Sequence, residues 1–196
     1  MAAPHRAMFL AGGAWAIVAV GLATWDTGID LTHAPLGDLT AWHAHEMVFG
    51  FAAAMFAGYA LTAMTSWPGN ARLSLAGVTG LLALWALARL TVAGAFGHEP
   101  RLVVPGAAAF MACVTLMLAR AALNSASSKG VMLALFALAM TGVQIAVLCG
   151  ATMSHSPVFG FSALLSIAGG RIVAAFTWNR LIDGEGPTAA GQVASD

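Results

Sequence analysis

Six stretches of this chain are apolar for about 20 residues or more, the length a helix needs to cross roughly 30 Å of hydrocarbon at about 1.5 Å per residue. They run Ala7–Trp25, Leu39–Trp67, Leu73–Phe96, Leu102–Ala122, Gly130–Met153 and Pro157–Leu181. In lipid every backbone polar group must find its partner inside the structure, so only helices or a closed barrel are open to such a chain. The alternating pattern of a barrel strand is absent and Ala and Leu dominate. The expected fold is therefore all-α, an integral membrane bundle of six transmembrane helices. Only 8% of the 196 residues are charged, eight Lys+Arg against eight Asp+Glu, where a soluble domain carries roughly 25%. So few charges make no basic face for nucleic acid and no acidic face for a cationic partner. The partner implied by the composition is the lipid bilayer.

The connections and ends carry the topology. Arg6, Arg72, Arg120, Lys129 and Arg180 fall on the side of the two termini, against Arg101 alone on the other side with Asp26, Asp30, Asp38 and Glu99. By the positive-inside rule both termini are expected in the cytoplasm. The first run follows Arg6 but ends in Thr24-Trp25-Asp26 with no small-x-small site, so it reads as a retained span rather than a cleaved signal. Pro105 and Pro157 are expected in first turns of helices, and Trp25, Trp42, Trp67 and Trp178 near helix ends as interfacial aromatics. The domain expected is residues 1–182, followed by a disordered cytoplasmic tail over 183–196, which is Gly/Ala/polar.

Polar groups inside the runs are the candidates for function. Five of the six histidines, His33, His43, His45, His98 and His155, map to the outer ends of helices, and only His5 is cytoplasmic. Imidazole ligates both haem iron and copper, so a one-sided set suits either, while hydrated loop histidines are the plain alternative. The sharpest string is Trp42-His43-Ala44-His45-Glu46-Met47, opening the second run. On a regular helix His43 and His45 project ~160° apart and cannot hold one ion together. His43 and Glu46 share a face, and Glu46, Gly50, Ala54, Gly58 and Thr62 form a small-residue edge for close helix approach. Glu46 and His43 are thus expected to face the interior and His45 another neighbour, or a cofactor between helices; a hydrated polar helix start is the alternative.

Arg89 lies seven residues before Phe96, about 10 Å deep, and an intramembrane charge is costly unless paired. Glu46 and Arg89 are expected to meet, with snorkelling of Arg89 to the headgroups as the alternative. Arg171, in Gly169-Gly170-Arg171, is expected to point inward, to hold an anionic group such as a haem propionate or to anchor a broken helix. Cys149, Met153 and His155, with Met47, offer a soft set compatible with copper. Cys113 and Cys149 taken alone read as buried structural thiols, and no Cys-x-x-Cys pair supports a zinc ribbon or covalent haem.

Trp42–Ala54 (Trp-His-Ala-His-Glu-Met-Val-Phe-Gly-Phe-Ala-Ala-Ala), running on through Ala57–Met64 to Trp67, resembles the signature of the NnrS family. Gly169-Gly170-Arg171-Ile172 with Phe176-Thr177 and Asn179 resembles that family's second motif, and Arg89 falls where the family tends to carry an arginine. The resemblance implies a haem- and copper-containing multi-pass protein of the bacterial inner membrane, linked to the nitric oxide response and denitrification. It implies haem b, with His43 or His45 as an axial ligand, His98 or His155 as the partner ligand, and Glu46, Arg89 and Arg171 as orienting groups. Copper would take His43, His45, Met47, Cys149 and Met153.

The chain departs from the family pattern in several places. It resembles only the six-helix first half of a member of about twelve spans. Val173-Ala174 replaces Ile-Pro, and Gln144 or Cys149 lies near where a fifth-helix histidine would stand. The half is expected to complete its site by homodimerising or within a larger membrane complex. Two other classes compete: a non-catalytic transmembrane subunit, and copper or small-solute transport along Glu46 and Arg89. No nucleotide or quinone fingerprint argues for a particular enzymatic reaction.

Overall fold

A computed structural model describes residues 4–25, 35–151, 160 and 162 of the chain. The chain divides into two compact units, Met1–Pro157 and Val158–Asp196. The first contains α1 (Pro4–Thr24), α2 (Leu39–His45), a π-helical segment (Glu46–Ala52), α3 (Ala53–Met64), α4 (Leu75–Val92), α5 (Pro100–Ser125) and α6 (Ser128–Leu148). Of the second, Gly160 and Ser162 are helical. No strand occurs among the described residues. Five helical stretches are long and apolar enough to cross a membrane: His5–Thr24, Leu39–Met64, Leu75–Val92, Pro100–Ser125 and Ser128–Leu148. Apart from Gly160 and Ser162, the expected sixth span lies outside the described residues, as do the 183–196 tail and His33, Met153, His155, Arg171 and Asn179.

The helix starts are set by side chains that satisfy otherwise unpaired amides. Asp38 Oδ1 accepts from Ala41 N–H at 2.8 Å, Ser74 Oγ from Gly77 N–H at 3.1 Å and Ser127 Oγ from Gly130 N–H at 3.1 Å. Only Ala126 and Ser127 separate α5 from α6, and Ala126 turns the chain with φ of 48°. Such a conformation is uncommon for a residue with a Cβ. Pro100, rather than Pro105, occupies the first turn of α5; Pro105 lies inside the helix, because the helix begins before the apolar run does.

The second span is three segments in one. From Leu39 to His45 it is α-helical, from Glu46 it widens into the π-helix, and at Ala53 it returns to α. Ala53 N–H donates to Val48 O, five residues back, the hydrogen bond that defines a π turn. Its small edge receives α1, as the spacing predicts. An added Cβ at Gly58 would lie 2.8 Å from the Phe9 ring and 3.1 Å from Met8 Cβ, so the missing side chain lets the two helices close. His5 Nδ1 lies 3.3 Å from Thr62 Oγ1 at one end of this contact. Thr62 donates its own hydroxyl proton to Gly58 O at 2.7 Å, so His5 is the donor.

Trp42 departs from its expected interfacial role. It is 2% exposed and packs with Ala19, Val92 and Ala107, because the helix start at Leu39 turns its ring toward α1, α4 and α5. Trp25 stays exposed. Cys113 is half-buried and Cys149 exposed. The expected burial of Cys149 fails because α6 ends at Leu148, leaving the thiol on the cap residue.

Candidate functional site

The site starts from Glu46, whose carboxylate is fully buried. Its Oε2 accepts from Trp15 Nε1–H at 2.6 Å and lies 3.1 Å from Arg89 NH1. Glu46 and Arg89 therefore meet, as their depths predict. Arg89 NH1 stands at ion-pair distance without the alignment of a hydrogen bond, and Arg89 Nε has no hydrogen-bond partner. The guanidinium sits over Trp85, 5.9 Å from the ring centroid, close enough for the ring's negative face to attract it. Trp85 Nε1–H in turn donates to Gly50 O at 2.9 Å. Gly50 leaves the space that this grouping fills: a Cβ there would lie 2.5 Å from Arg89 NH1 and 2.8 Å from Trp15 Nε1.

The other carboxylate oxygen, Oε1, lies 3.0 Å from His45 Nδ1. His45, not His43, accompanies Glu46 into the interior. A regular α-helix keeps neighbouring side chains apart. At the α–π junction a turn takes up an extra residue, so successive side chains lie closer in angle. His43 instead reaches Ala19 O on α1 at 3.2 Å and is half-buried. The expectation that His43 shares the interior face with Glu46 rests on an unbroken α-helix, and the π segment removes it.

On its far side, His45 Nε2 is 3.4 Å from Gln144 Nε2 on α6. Gln144 Nε2 also donates to Ala107 O on α5 at 3.2 Å. That carbonyl requires an N–H, which assigns the orientation of the Gln144 amide. The same amide therefore presents its second N–H to His45. Glu46 Oε1 is the acceptor in this contact, so His45 carries its proton on Nδ1 and a lone pair on Nε2. Gln144 Oε1 is buried with no hydrogen-bond partner. The chain Trp15, Glu46, His45, Gln144, with Arg89 beside it, ties α1, the second span, α4, α5 and α6 together. Of the two residues near the expected fifth-helix histidine, Gln144 is the one that reaches the site, whereas Trp15 and Trp85 were not expected there. The period-four edge of the second span hinted at a partner helix, but nothing in the run of α1 marks Trp15 among its apolar neighbours.

The remaining candidates are apart from this chain of contacts. His98 is exposed in the turn before α5, Met47 packs against the Trp42 cluster, and Cys149 is exposed at the end of α6. Among the described residues no three His, Cys, Asp or Glu side chains come together as a metal-ion cluster. A cavity of about 380 Å³ lies between Leu36 and Ala41 on one side and Val147, Leu148 and Gly150 on the other. None of the candidate ligands lines it. The donor chemistry thus fits one imidazole ligand, His45 Nε2, with its other nitrogen oriented by a carboxylate as metal-bound histidines usually are. It does not form a multi-residue metal centre within the described residues.

Comparison with protein families turns these positions into an identity. The family model described as NnrS protein matches residues 1–195. The chain belongs to the NnrS family. Comparison with curated proteins finds no match, and comparison with solved structures finds none either. As an NnrS member with five helices of membrane-spanning length and composition, the chain carries its buried His45-Glu46 pair in the stretch that resembles the family signature.

Proposed function

We propose that this chain is a haem-binding, multi-pass protein of the bacterial inner membrane, acting in the nitric oxide response or in denitrification-related metabolism. Membership of the NnrS family supports the role, and one observation carries the chemistry. Glu46 accepts a hydrogen bond from His45 Nδ1–H at 3.0 Å, which puts the imidazole lone pair on Nε2, the nitrogen that would hold the haem iron. The haem would be haem b, with Arg89 and Trp15 fixing the position of Glu46 and hence the ring. A second ligand would come from His98 or His155, or from another copy or subunit. Arg171 is kept as a partner for a propionate. Copper, with Met47, Cys149, Met153 and the two motif histidines, is the lesser reading, because Cys149 and Met47 stand apart from His45.

Absorption spectra and a metal assay on detergent-purified protein test this. The expected result is a Soret band that His45→Ala abolishes and His43→Ala leaves, since His43 is engaged with Ala19 O. Absence of both a Soret band and metal above background would sink the proposal. A second reading, a non-catalytic subunit of a larger membrane complex, is favoured by the Gln144 amide standing 3.4 Å from the same lone pair. It predicts that His45→Ala lowers assembly without changing cofactor content per folded protein.

A further inference from the structure

We infer that the α5–α6 hairpin binds an anionic phospholipid, with one acyl chain in a groove between the two helices and the headgroup phosphate on Arg120. The groove has a volume of about 190 Å³. Ala122 and Ala134 are buried at its floor, and Leu123, Leu135 and Leu138 stand exposed along its rim. The helices are tied together at both ends. At one end the Thr115 and Thr141 hydroxyls lie 3.1 Å apart. At the other, Gly130 lets α6 close on α5, since a Cβ there would lie 2.8 Å from the Trp67 ring and 2.9 Å from Ala122 Cβ. Between these ties the alanines leave the space unfilled. From Thr115 to Leu123 the groove follows about 12 Å of helix. That is room for a stretch of one hydrocarbon chain and not for a helix ~10–12 Å across. The Thr115 hydroxyl is engaged with Thr141 and Met111 O, so the lining is apolar throughout.

The charge beside the groove selects the kind of lipid. Arg120 is exposed and makes no ion pair among the described residues. It stands three residues before Leu123 and about 60° from it around α5. No Asp or Glu occurs from Pro100 to Ile182, so neither helix supplies a counter-charge. Arg120 lies five residues before the end of α5 at Ser125, about 7 Å along the axis. At that same end of the hairpin the half-buried Trp67 packs against Gly130, and tryptophans of this kind mark the headgroup level. The guanidinium therefore extends along the surface to the headgroups and meets a phosphate with paired N–H groups. Lys129, the other cation at this end, projects about 120–180° from every α6 residue of the groove and is turned away. A second copy fits the groove poorly, because a two-fold contact would set two unpaired arginines on one interface.

Native mass spectrometry of the full chain in detergent tests this, with phosphatidylglycerol and phosphatidylcholine of the same acyl chains as probes. The wild type is expected to hold one phosphatidylglycerol about fivefold more tightly than phosphatidylcholine, the scale of one basic residue at an anionic surface. Arg120→Gln is expected to bring that ratio close to one, and Lys129→Gln to leave it. Ala119→Leu, which fills the groove, is expected to weaken both lipids. Val131→Phe does the same from the exposed rim and serves if the first variant does not fold. Glycerol phosphate, a headgroup without chains, is expected not to bind. No preference in the wild type would overturn the site. Equal losses from Arg120→Gln and Lys129→Gln would overturn it as well, since a diffuse positive field would then explain the preference. Unchanged lipid binding in both groove-filling variants would leave only lipid loosely surrounding the bundle. A dimer that these variants dissolve would give the groove to a second copy, and glycerol phosphate binding as tightly as the lipid would give Arg120 to a free phosphate; either result overturns the proposal.

Discussion

Two seams of the bundle join helices by different means. Where α1 and α4 meet the second span, the joint is charged: Glu46 against Arg89 and Trp15, with Gly50 leaving the room. Where α5 meets α6, the joint is neutral: Thr115 and Thr141 hydroxyls 3.1 Å apart, and Gln144 on Ala107 O. The difference is one of tolerance. A buried ion pair is expensive to half-remove, because the survivor is an uncompensated charge in a low dielectric. A threonine pair has two hydroxyl protons to share among the facing hydroxyl and the carbonyls Met111 O and Ala137 O, and when one member goes the survivor still donates to its own helix. The charged seam is all-or-none and the neutral seam graded, and the candidate site sits where they meet, at His45 and Gln144.

The largest expected break of this contrast is at Glu46. Glu46→Gln should cost about 3–5 kcal/mol of stability, as removal of one partner of a buried pair does, measured by denaturation in mixed detergent micelles. Replacing both members, Glu46→Gln with Arg89→Leu, should recover much of that loss; an additive effect of the two changes would show that the pair does not act as a unit. Gly50→Ala comes next. Its Cβ would meet Arg89 and Trp15 at 2.5 and 2.8 Å, and the forced shift should cost about 1–3 kcal/mol. Denaturation tests this too, and a neutral outcome would mean that the Trp15 ring yields freely. The smallest effect belongs to the neutral seam. Thr141→Val should cost about 0.6 kcal/mol, the average for an interhelical hydrogen bond in a membrane protein. A loss as large as that of Glu46→Gln would erase the distinction between the seams.

Several elements were legible from residue order because they depend on local or one-dimensional properties. Run length sets which stretches are long enough to span, and the Glu46–Thr62 edge predicts close approach of another helix, which α1 provides. Glu46 and Arg89 could be paired from depth alone, since each would be costly without an opposite charge. Trp42 and Pro105 went the other way. The first was expected at the interface but is buried against Ala19, Val92 and Ala107 from other helices, and the second was expected in a first turn but lies five residues inside α5, which begins at Pro100.

The choice between His43 and His45 marks the boundary most sharply. From the sequence, composition and run length determine a membrane-spanning helical protein, and the Trp42–Ala54 string identifies the family. Those properties are sums over residues or patterns along a line, and survive small changes in helical winding. Which histidine accompanies Glu46 depends on the angle between neighbouring side chains, and that angle changed when the helix widened at Glu46. That widening coincides with contacts to Trp15, Trp85 and Arg89 from other helices. Only tertiary structure decided it, because groups far apart in the chain decide where the ring can go and what it meets. The presence of Gln144 opposite His45, 99 residues away in sequence, follows from the same cause.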